Sequence, residues 1–333
     1  MITFYECGQG DASYINENGI DLFIDLGTSQ FKRTIPSNID LMISHSHADH
    51  MDGGIVGANA GINMLYVPAY FPEYSAIINR LLNRANFRFP NNVKFVYDGM
   101  MLYSGAITVL NPPLDPWNYW PDIEDDAPSI DDFLQSLDNA IREKDAFVNS
   151  IYDEVQDVIR DQISKENSLR FIERMLARLA QSYFNGGNSL MYAINSFRNY
   201  DANMLSIIFS YRRHDGPPVF LFTGDAHQKN FYRIMKANPG ALQCNLLKVP
   251  HHGSKKSLNR KILNAMDPDV AVISHDNGLF GRAKDPHPNK EIIHLLRTAN
   301  IDIYPTNDVV KNRSTIIAKH TGPIPGFPGV RIL

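Results

Sequence analysis

A layered α/β fold is the class this sequence predicts, and three observations carry that reading. Short apolar runs of strand length alternate with helix-periodic stretches over roughly the first third of the chain and again over the last. Turn residues (Gly, Pro, Asn, Asp) fall between those runs and seldom within them. Between the two alternating regions lies a stretch from Ser129 to Tyr183 with no Gly or Pro, whose apolar residues recur at helical spacing. The expected organisation is an α/β (α+β layered) core made of residues 1–121 and 185–333, interrupted by a helical insertion at 122–184.

The elements follow in order. Ile2 to Cys7, Ala12 to Asn16 and Asp21 to Leu26 read as strands separated by Gly8-Gln9-Gly10-Asp11 and Asn18-Gly19. Ile39 to Ser44 is a further strand leading into His45, and Gly53-Gly54 is expected to open a helix. Met64 to Val67 and Val93 to Tyr97 are strands on either side of a helix from Tyr74 to Ala85, and Ala106 to Leu110 ends at Asn111-Pro112-Pro113. Within the insertion, Ser129 with Asp132 offers a helix start and Gly186-Gly187 a stop. Leu205 to Tyr211 and Val219 to Thr223 form a hairpin ending in Gly224-Asp225. A helix from Asn230 to Ala237 and a strand from Cys244 to Val249 follow, then strands at Val270 to Ser274 and Ile301 to Tyr304 around a helix from Asn289 to Ala299.

Composition narrows the class. Of 333 residues, 44% are hydrophobic and 20% charged, which excludes a largely disordered chain. The formal charge is −4, so contact with a nucleic-acid backbone has to come from a local patch. Two cysteines, Cys7 and Cys244, cannot build a disulfide framework, and no apolar run of about 18 residues spans a bilayer. The start of the chain lacks the basic and apolar regions of a signal peptide. A cytoplasmic protein without a membrane partner is the expectation.

The chemistry concentrates in His45-Ser46-His47-Ala48-Asp49-His50, directly after an apolar strand. Residues 45 and 47 are expected to alternate as strand neighbours, with Asp49 and His50 in the following loop, so that four side chains converge. Imidazole and carboxylate are ligands that Zn²⁺ prefers. Four of them within six residues predict a metal site.

His-x-His-x-Asp-His after a strand resembles the signature of the metallo-β-lactamase fold, an αββα sandwich with one or two metals at one edge. Gly224-Asp225 resembles the bridging aspartate of that family and His251-His252-Gly253-Ser254 its last histidine ligand. Cys7-Gly8-Gln9-Gly10-Asp11, Asp25-Leu26-Gly27, Phe222-Thr223-Gly224-Asp225, the run Lys248 to Ser254 and His287-Pro288 are similar to the soluble domain of ComEC/Rec2 DNA-uptake proteins and to phosphorylcholine esterases. The likeness covers about residues 1–113 and 200–320. It implies His45 and His47 on one metal, Asp49, His50 and a histidine of the 251/252 pair on the other, and Asp225 between them. His252 is favoured because it directly precedes glycine, with His251 left open; the other member then supports the site or touches substrate.

One further histidine expected of such two-metal sites is missing. The only histidine between the first motif and Gly224-Asp225 is His214, at the hairpin tip and on the order of 30 Å away along the strand. Asp201 or Asn203 can fill that place, or water. Oxygen ligands there admit Mn²⁺ as well as Zn²⁺, one or two ions in all. Asp49 is expected to orient the nucleophile as well as bind metal, and His287 to contact substrate or protonate the leaving group. Ser254, Lys255 and Lys256 are placed to bind phosphate, and Asp11 and Asp25 to support the ligands from behind. Tyr66, Tyr70, Phe71 and Tyr74 are candidates for base stacking.

The leading expectation is a metal-dependent phosphodiesterase or nuclease acting on DNA, RNA or another phosphodiester. A hydrolase of a carboxylic substrate (lactone, thioester or β-lactam) is the alternative the fold permits. A non-catalytic partner protein with a structural metal site is the third. The helical insertion, without His or Cys, is expected to be a packing element, a lid or a surface for homodimerisation.

Overall fold

The computed structural model describes residues 1–56, 61–82, 84, 92–114, 201–213, 216–276, 287–311 and 314–333. The expected insertion, its role as a dimer surface, and His214 lie outside the described residues. One sheet runs β18 (Gly322–Pro323), β19 (Val330–Ile332), β1 (Ile2–Phe4), β2 (Ser13–Glu17), β3 (Ile20–Ile24), β5 (Ile39–Met42), β7 (Ile62–Pro68), β8 (Asn92–Val96). The other runs β15 (Asp302–Pro305), β14 (Val270–Ile273), β13 (Leu246–Lys248), β12 (Gly216–Phe222), β11 (Ile208–Arg213), β10 (Ile107–Asn111), β9 (Met101–Leu102). Two minor pairs, β4 (Thr34–Ile35) with β6 (Ile55–Val56) and β16 (Val309–Lys311) with β17 (Ser314–Ile317), complete the strands.

Period-two alternation decides how the layers stack. Leu22, Ile24 and Met42 from the first sheet share a core with Phe209, Phe220, Phe222 and Val272 from the second, so the two sheets pack face to face. Phe222 seals that layer, its ring 5.8 Å from Phe4 and 4.7 Å from Phe209. Phe23, Leu41, Leu65 and Val67 point to the opposite face of the first sheet. There they bury Tyr74, Ile77 and Leu81 of helix α2 (Phe71–Leu82). On the far side of the second sheet, Ile208, Leu221, Leu247 and Ile273 pack against three helices: α3 (Gln228–Ala237), α4 (Arg260–Met266) and α5 (Lys290–Thr298). The result is the αββα layering expected of the metallo-β-lactamase fold.

Several expected elements shift for identifiable reasons. Gly53-Gly54 opens no helix: a Cβ on Gly53 would lie 2.1 Å from the Thr28 carbonyl oxygen and 2.2 Å from that of Leu26, so the glycine allows two backbones to touch. The second helix starts at Phe71, three residues earlier than expected, with Pro72 in its first turn, where a missing N–H costs nothing. Helix α4 was not expected; Asn259 caps it by accepting the Ile262 amide at 3.1 Å.

Strands β3, β5, β7 and β8 are mutually parallel, as are β12, β13, β14 and β15. Their C-terminal ends bring Asp25, the first His motif, Asp225 and the 251/252 pair to one edge. That edge is where ligands bind in sheets of this kind. Asn111, at the end of β10, donates to the carbonyls of Met204 and Ser206 at 3.1 and 2.8 Å, tying the two described flanks of residues 115–200 together beside it.

Candidate metal centre

Pairing of β5 with β3 ends at Met42 opposite Ile24, and the chain then turns. Ser44 donates its amide and its hydroxyl to the two oxygens of Asp25, both at 2.7 Å, which fixes where the motif begins. His45 and His47 therefore sit in a turn, not on an alternating strand. Asp49 and His50 are not in a loop: they ride on α1 (Ala48–Met51), a single helical turn with His47 at its start. The turn is seated by the Leu26 amide, which donates to the His50 carbonyl at 2.7 Å.

The second sheet supplies the facing groups. After β12, Gly224 takes φ +49° against Ser206 and Ser44, and Ser206 Oγ accepts the Asp225 amide at 3.1 Å. After β13, His251, His252 and Gly253 take φ of +48°, +51° and +84° in succession. Each non-glycine residue in that left-handed region costs about 1–2 kcal/mol, a strain that surrounding structure must hold in place. The turn sets both imidazoles on one carboxylate: His251 Nε2 and His252 Nε2 lie 3.6 and 3.5 Å from Asp225 Oδ2.

Four side chains form the tightest group. His50 Nε2 is 3.3 Å from Asp225 Oδ1, and His252 Nε2 is 3.3 Å from Asp49 Oδ2. The ligand atoms of Asp49, His50, Asp225 and His252 all lie within 4.8 Å of one another. The opposite ring nitrogens are held from behind: His50 Nδ1 by Asp25 Oδ2 at 2.8 Å, His252 Nδ1 by the Ser274 carbonyl at 3.0 Å. An imidazole that donates Nδ1–H to such a partner points the Nε2 lone pair forward, the arrangement of a metal-ligating histidine. His50 Nε2, His252 Nε2 and Asp225 Oδ1 are buried, face inward and make no hydrogen bond. Two imidazoles and two carboxylates with orphaned inward atoms fit a divalent cation such as Zn²⁺ or Mn²⁺.

Electrostatics agree with that fit. Burial alone would raise the Asp225 carboxyl, but His252, His251 and His50 pull it well below the usual carboxylate range. Burial likewise opposes charge on His252, yet Asp225 and Asp49, with Asp11 beyond, hold its pKa up at about 10. His50 is pushed well up by Asp225 and Asp25 against its burial. Protons on these two rings supply the positive charge that the carboxylates demand. His45 behaves oppositely: burial, with His50 and His47 beside it, pushes it well down.

The other proposed ligands gather more loosely. His45 Nε2 is 3.0 Å from His47 Nδ1, and the His45 ring centroid is 4.1 Å from that of His50. Neither belongs to a tight group of three or more ligands among the described residues. Asp201 and Asn203, the candidates for the missing histidine's place, both engage His227. Asp201 Oδ2 is 3.3 Å from His227 Nδ1, and Asn203 Nδ2 is 3.4 Å from His227 Nε2. His227, two residues beyond Asp225, stacks parallel to His251 at 5.8 Å. Sequence reasoning passed over it because the search for a further ligand stopped at Gly224-Asp225; its place immediately before an amphipathic helix was the available signal. His287 stands edge-on to His251, with ring centroids 5.1 Å apart.

The supporting residues divide. Asp11 and Lys248 form a buried ion pair at 2.6 Å beneath the centre. Ser254, expected at a phosphate, is buried with its hydroxyl accepting the Lys256 amide at 3.3 Å, whereas Lys255 and Lys256 are exposed. Tyr66, Tyr70 and Tyr74 are buried and offer bases no face, while the side chain of Phe71 lies outside the described residues.

No family model matches the chain. Over 86 residues, 26% of its length, it is 38% identical to Recombination protein 2 of Haemophilus influenzae, of which the match covers 10%. Over 92 residues, 28% of its length, it is 27% identical to ComE operon protein 3 of Bacillus subtilis, covering 11% of that protein. The matches thus span about a tenth of these curated relatives. Among solved structures, a mutant of CmlA beta-hydroxylase aligns with a TM-score of 0.38 at 12% identity, covering 90% of this chain and 51% of that one. No helix among the described residues is long and apolar enough to cross a membrane.

Proposed function

We propose that this protein is a metal-dependent hydrolase that cleaves phosphodiesters, in the manner of a nuclease or phosphodiesterase. The observation that supports the metal is the set of buried, inward-facing atoms on His50, His252 and Asp225 that have no other partner. Asp49, His50 and His252 would hold one ion, His45 and His47 would face a second, and Asp225 would lie between them. Zn²⁺ or Mn²⁺ bound there would supply Lewis acidity toward a phosphoryl oxygen and lower the pKa of water. The partial likeness to Recombination protein 2 and ComE operon protein 3 and the exposed Lys255 and Lys256 beside the ligand turn support a phosphodiester over a carboxylic substrate.

This chain's own residues then divide the work. Asp49, the less enclosed of the two carboxylates in that group, orients the attacking water. His251, whose pKa burial lowers to about 4, is neutral at pH 7 and accepts a hydrogen bond from substrate or water. His287, beside it, would protonate the leaving oxygen. Lys255 and Lys256 neutralise the phosphate.

The test is metal analysis with a substrate panel: bis-p-nitrophenyl phosphate, single-stranded and duplex DNA, RNA and nitrocefin, each with Zn²⁺ and with Mn²⁺. At least one ion per chain and phosphodiester cleavage are expected; Asp225→Ala should lose both, whereas His47→Ala should lose cleavage and keep the tightly held ion. Cleavage of nitrocefin alone would move the assignment to a carboxylic substrate. Metal without any hydrolysis would make the centre structural.

A further inference from the structure

From Ala226 to Met266 the chain carries eight Lys and Arg and no Asp or Glu. The rest of the chain holds the other 24 Lys and Arg against all 36 Asp and Glu, so the formal charge of −4 conceals a strong asymmetry. Among the described residues, Lys248 meets Asp11 and Arg233 meets Asp98. The other six, Lys229, Lys236, Lys255, Lys256, Arg260 and Lys261, are exposed.

They form one surface that starts at the metal centre. Helix α3 begins three residues after Asp225, and the loop bearing Lys255 and Lys256 begins just after His252. Gln228 joins the two, its amide donating to the Lys256 carbonyl at 3.2 Å and its side chain to that of Lys255 at 2.9 Å. Asn259, the cap of α4, donates to Gln228 Oε1 at 2.6 Å and to Tyr232 Oη at 2.9 Å. Lys261 lies over the Tyr232 ring at 5.5 Å. Lys229, Tyr232 and Lys236 share a single helix face, spaced i, i+3, i+7. Lys229 and Lys236 are about 10 Å apart along the axis, the length of about three phosphates at ~3.4 Å each.

We propose that this surface holds the phosphodiester backbone of a nucleic-acid strand whose scissile phosphate lies at the metal centre. The inference rests on the phosphodiesterase reading above and adds the polymeric substrate and the residues that bind it. A small diester does not reach Lys236. A membrane surface calls for an apolar rim, and Tyr232, 39% exposed, is the one large exposed hydrophobic residue in the tract among those described.

The experiment is fluorescence anisotropy of labelled phosphorothioate DNA and RNA strands with the metal-loaded full chain, over a salt series. The logarithm of affinity is expected to fall with log salt at about −0.7 per phosphate contacted. Lys229→Glu with Lys236→Glu should weaken binding at least about tenfold and flatten that slope by about 1.4. Lys32→Glu with Arg33→Glu, equal in charge change but outside the tract, should stay within about twofold. Equal weakening by both pairs, equal competition by polyglutamate, or no strand binding at low salt overturns the proposal. Bis-p-nitrophenyl phosphate separates the two levels. Its hydrolysis without strand binding removes this inference and leaves the phosphodiesterase reading, while strand binding through the tract with no diester cleaved removes that reading.

Discussion

Asp25→Asn tests the metal centre at its most specific point. Asp25 is buried; its Oδ1 accepts the Ser44 amide at 2.7 Å, and its Oδ2 takes the Ser44 hydroxyl at 2.7 Å and His50 Nδ1 at 2.8 Å. Asparagine is isosteric, keeps a carbonyl oxygen for the Ser44 amide, and tolerates the φ of +56° at this position. Its amide nitrogen, however, donates toward His50 Nδ1. The ring must then carry its proton on Nε2, the atom that faces Asp225, and a protonated nitrogen cannot ligate. Loss of such a supporting hydrogen bond typically costs 10–100-fold in metal affinity, about 1.4–2.8 kcal/mol. Competition against a chromophoric chelator measures this for Zn²⁺ and Mn²⁺, with circular dichroism to show that the fold is kept. A folded Asp25→Asn protein binding metal within twofold of wild type would overturn the tautomer account of His50.

Two further predictions concern stability. Lys248→Met leaves Asp11 as a buried charge without its cation, which should cost about 3–5 kcal/mol in urea unfolding; adding Asp11→Asn should recover a good part, and additive losses would show that the pair is not coupled. Burial would raise the Glu17 carboxyl, but Arg213, the amino terminus and Tyr211 hold it below the usual range. A lowered carboxylate stabilises above its unfolded pKa and loses that contribution as pH falls. Between about pH 5 and pH 3 the melting temperature of Glu17→Gln should therefore fall less steeply than that of wild type, and parallel curves would refute the linkage.

What could be read from the sequence depended on how local its cause was. The His45 to His50 motif, Gly224-Asp225 and the His251-His252 pair are contiguous, and each follows an apolar run that became a strand. Their convergence was implied by the parallel ends of those strands. His227 was missed because its role arises only when α3 packs beside the 251–253 turn. Asp201 and Asn203 lie in the expected place, beside His227. Gly53-Gly54 misled because a glycine pair also marks a close backbone approach, which depends on what crosses it. Tyr66 and Tyr74 are turned into the core by the period of β7 and the face of α2, and Tyr70, in the turn between them, packs on Met204 and Leu205.

The two adjacent histidines differ in a way that a single pair of variants separates. His252 is sealed, backed by Ser274, and facing both Asp49 and Asp225; deleting its ring removes one of two nitrogen ligands from the tight group. His251 is 21% exposed, faces Asp225 alone among the carboxylates, and lies between His227 and His287. His252→Ala should therefore abolish tight metal binding, whereas His251→Ala should keep the tightly held ion and lose turnover. Removing either ring also relieves a left-handed residue of its large side chain but not of its Cβ, so the backbone strain of the turn stays comparable in both. Metal content after gel filtration, read beside kcat for bis-p-nitrophenyl phosphate, distinguishes the two. Retention of the tight ion by His252→Ala, or its loss from His251→Ala alone, would invert the assignment and make the exposed ring the ligand.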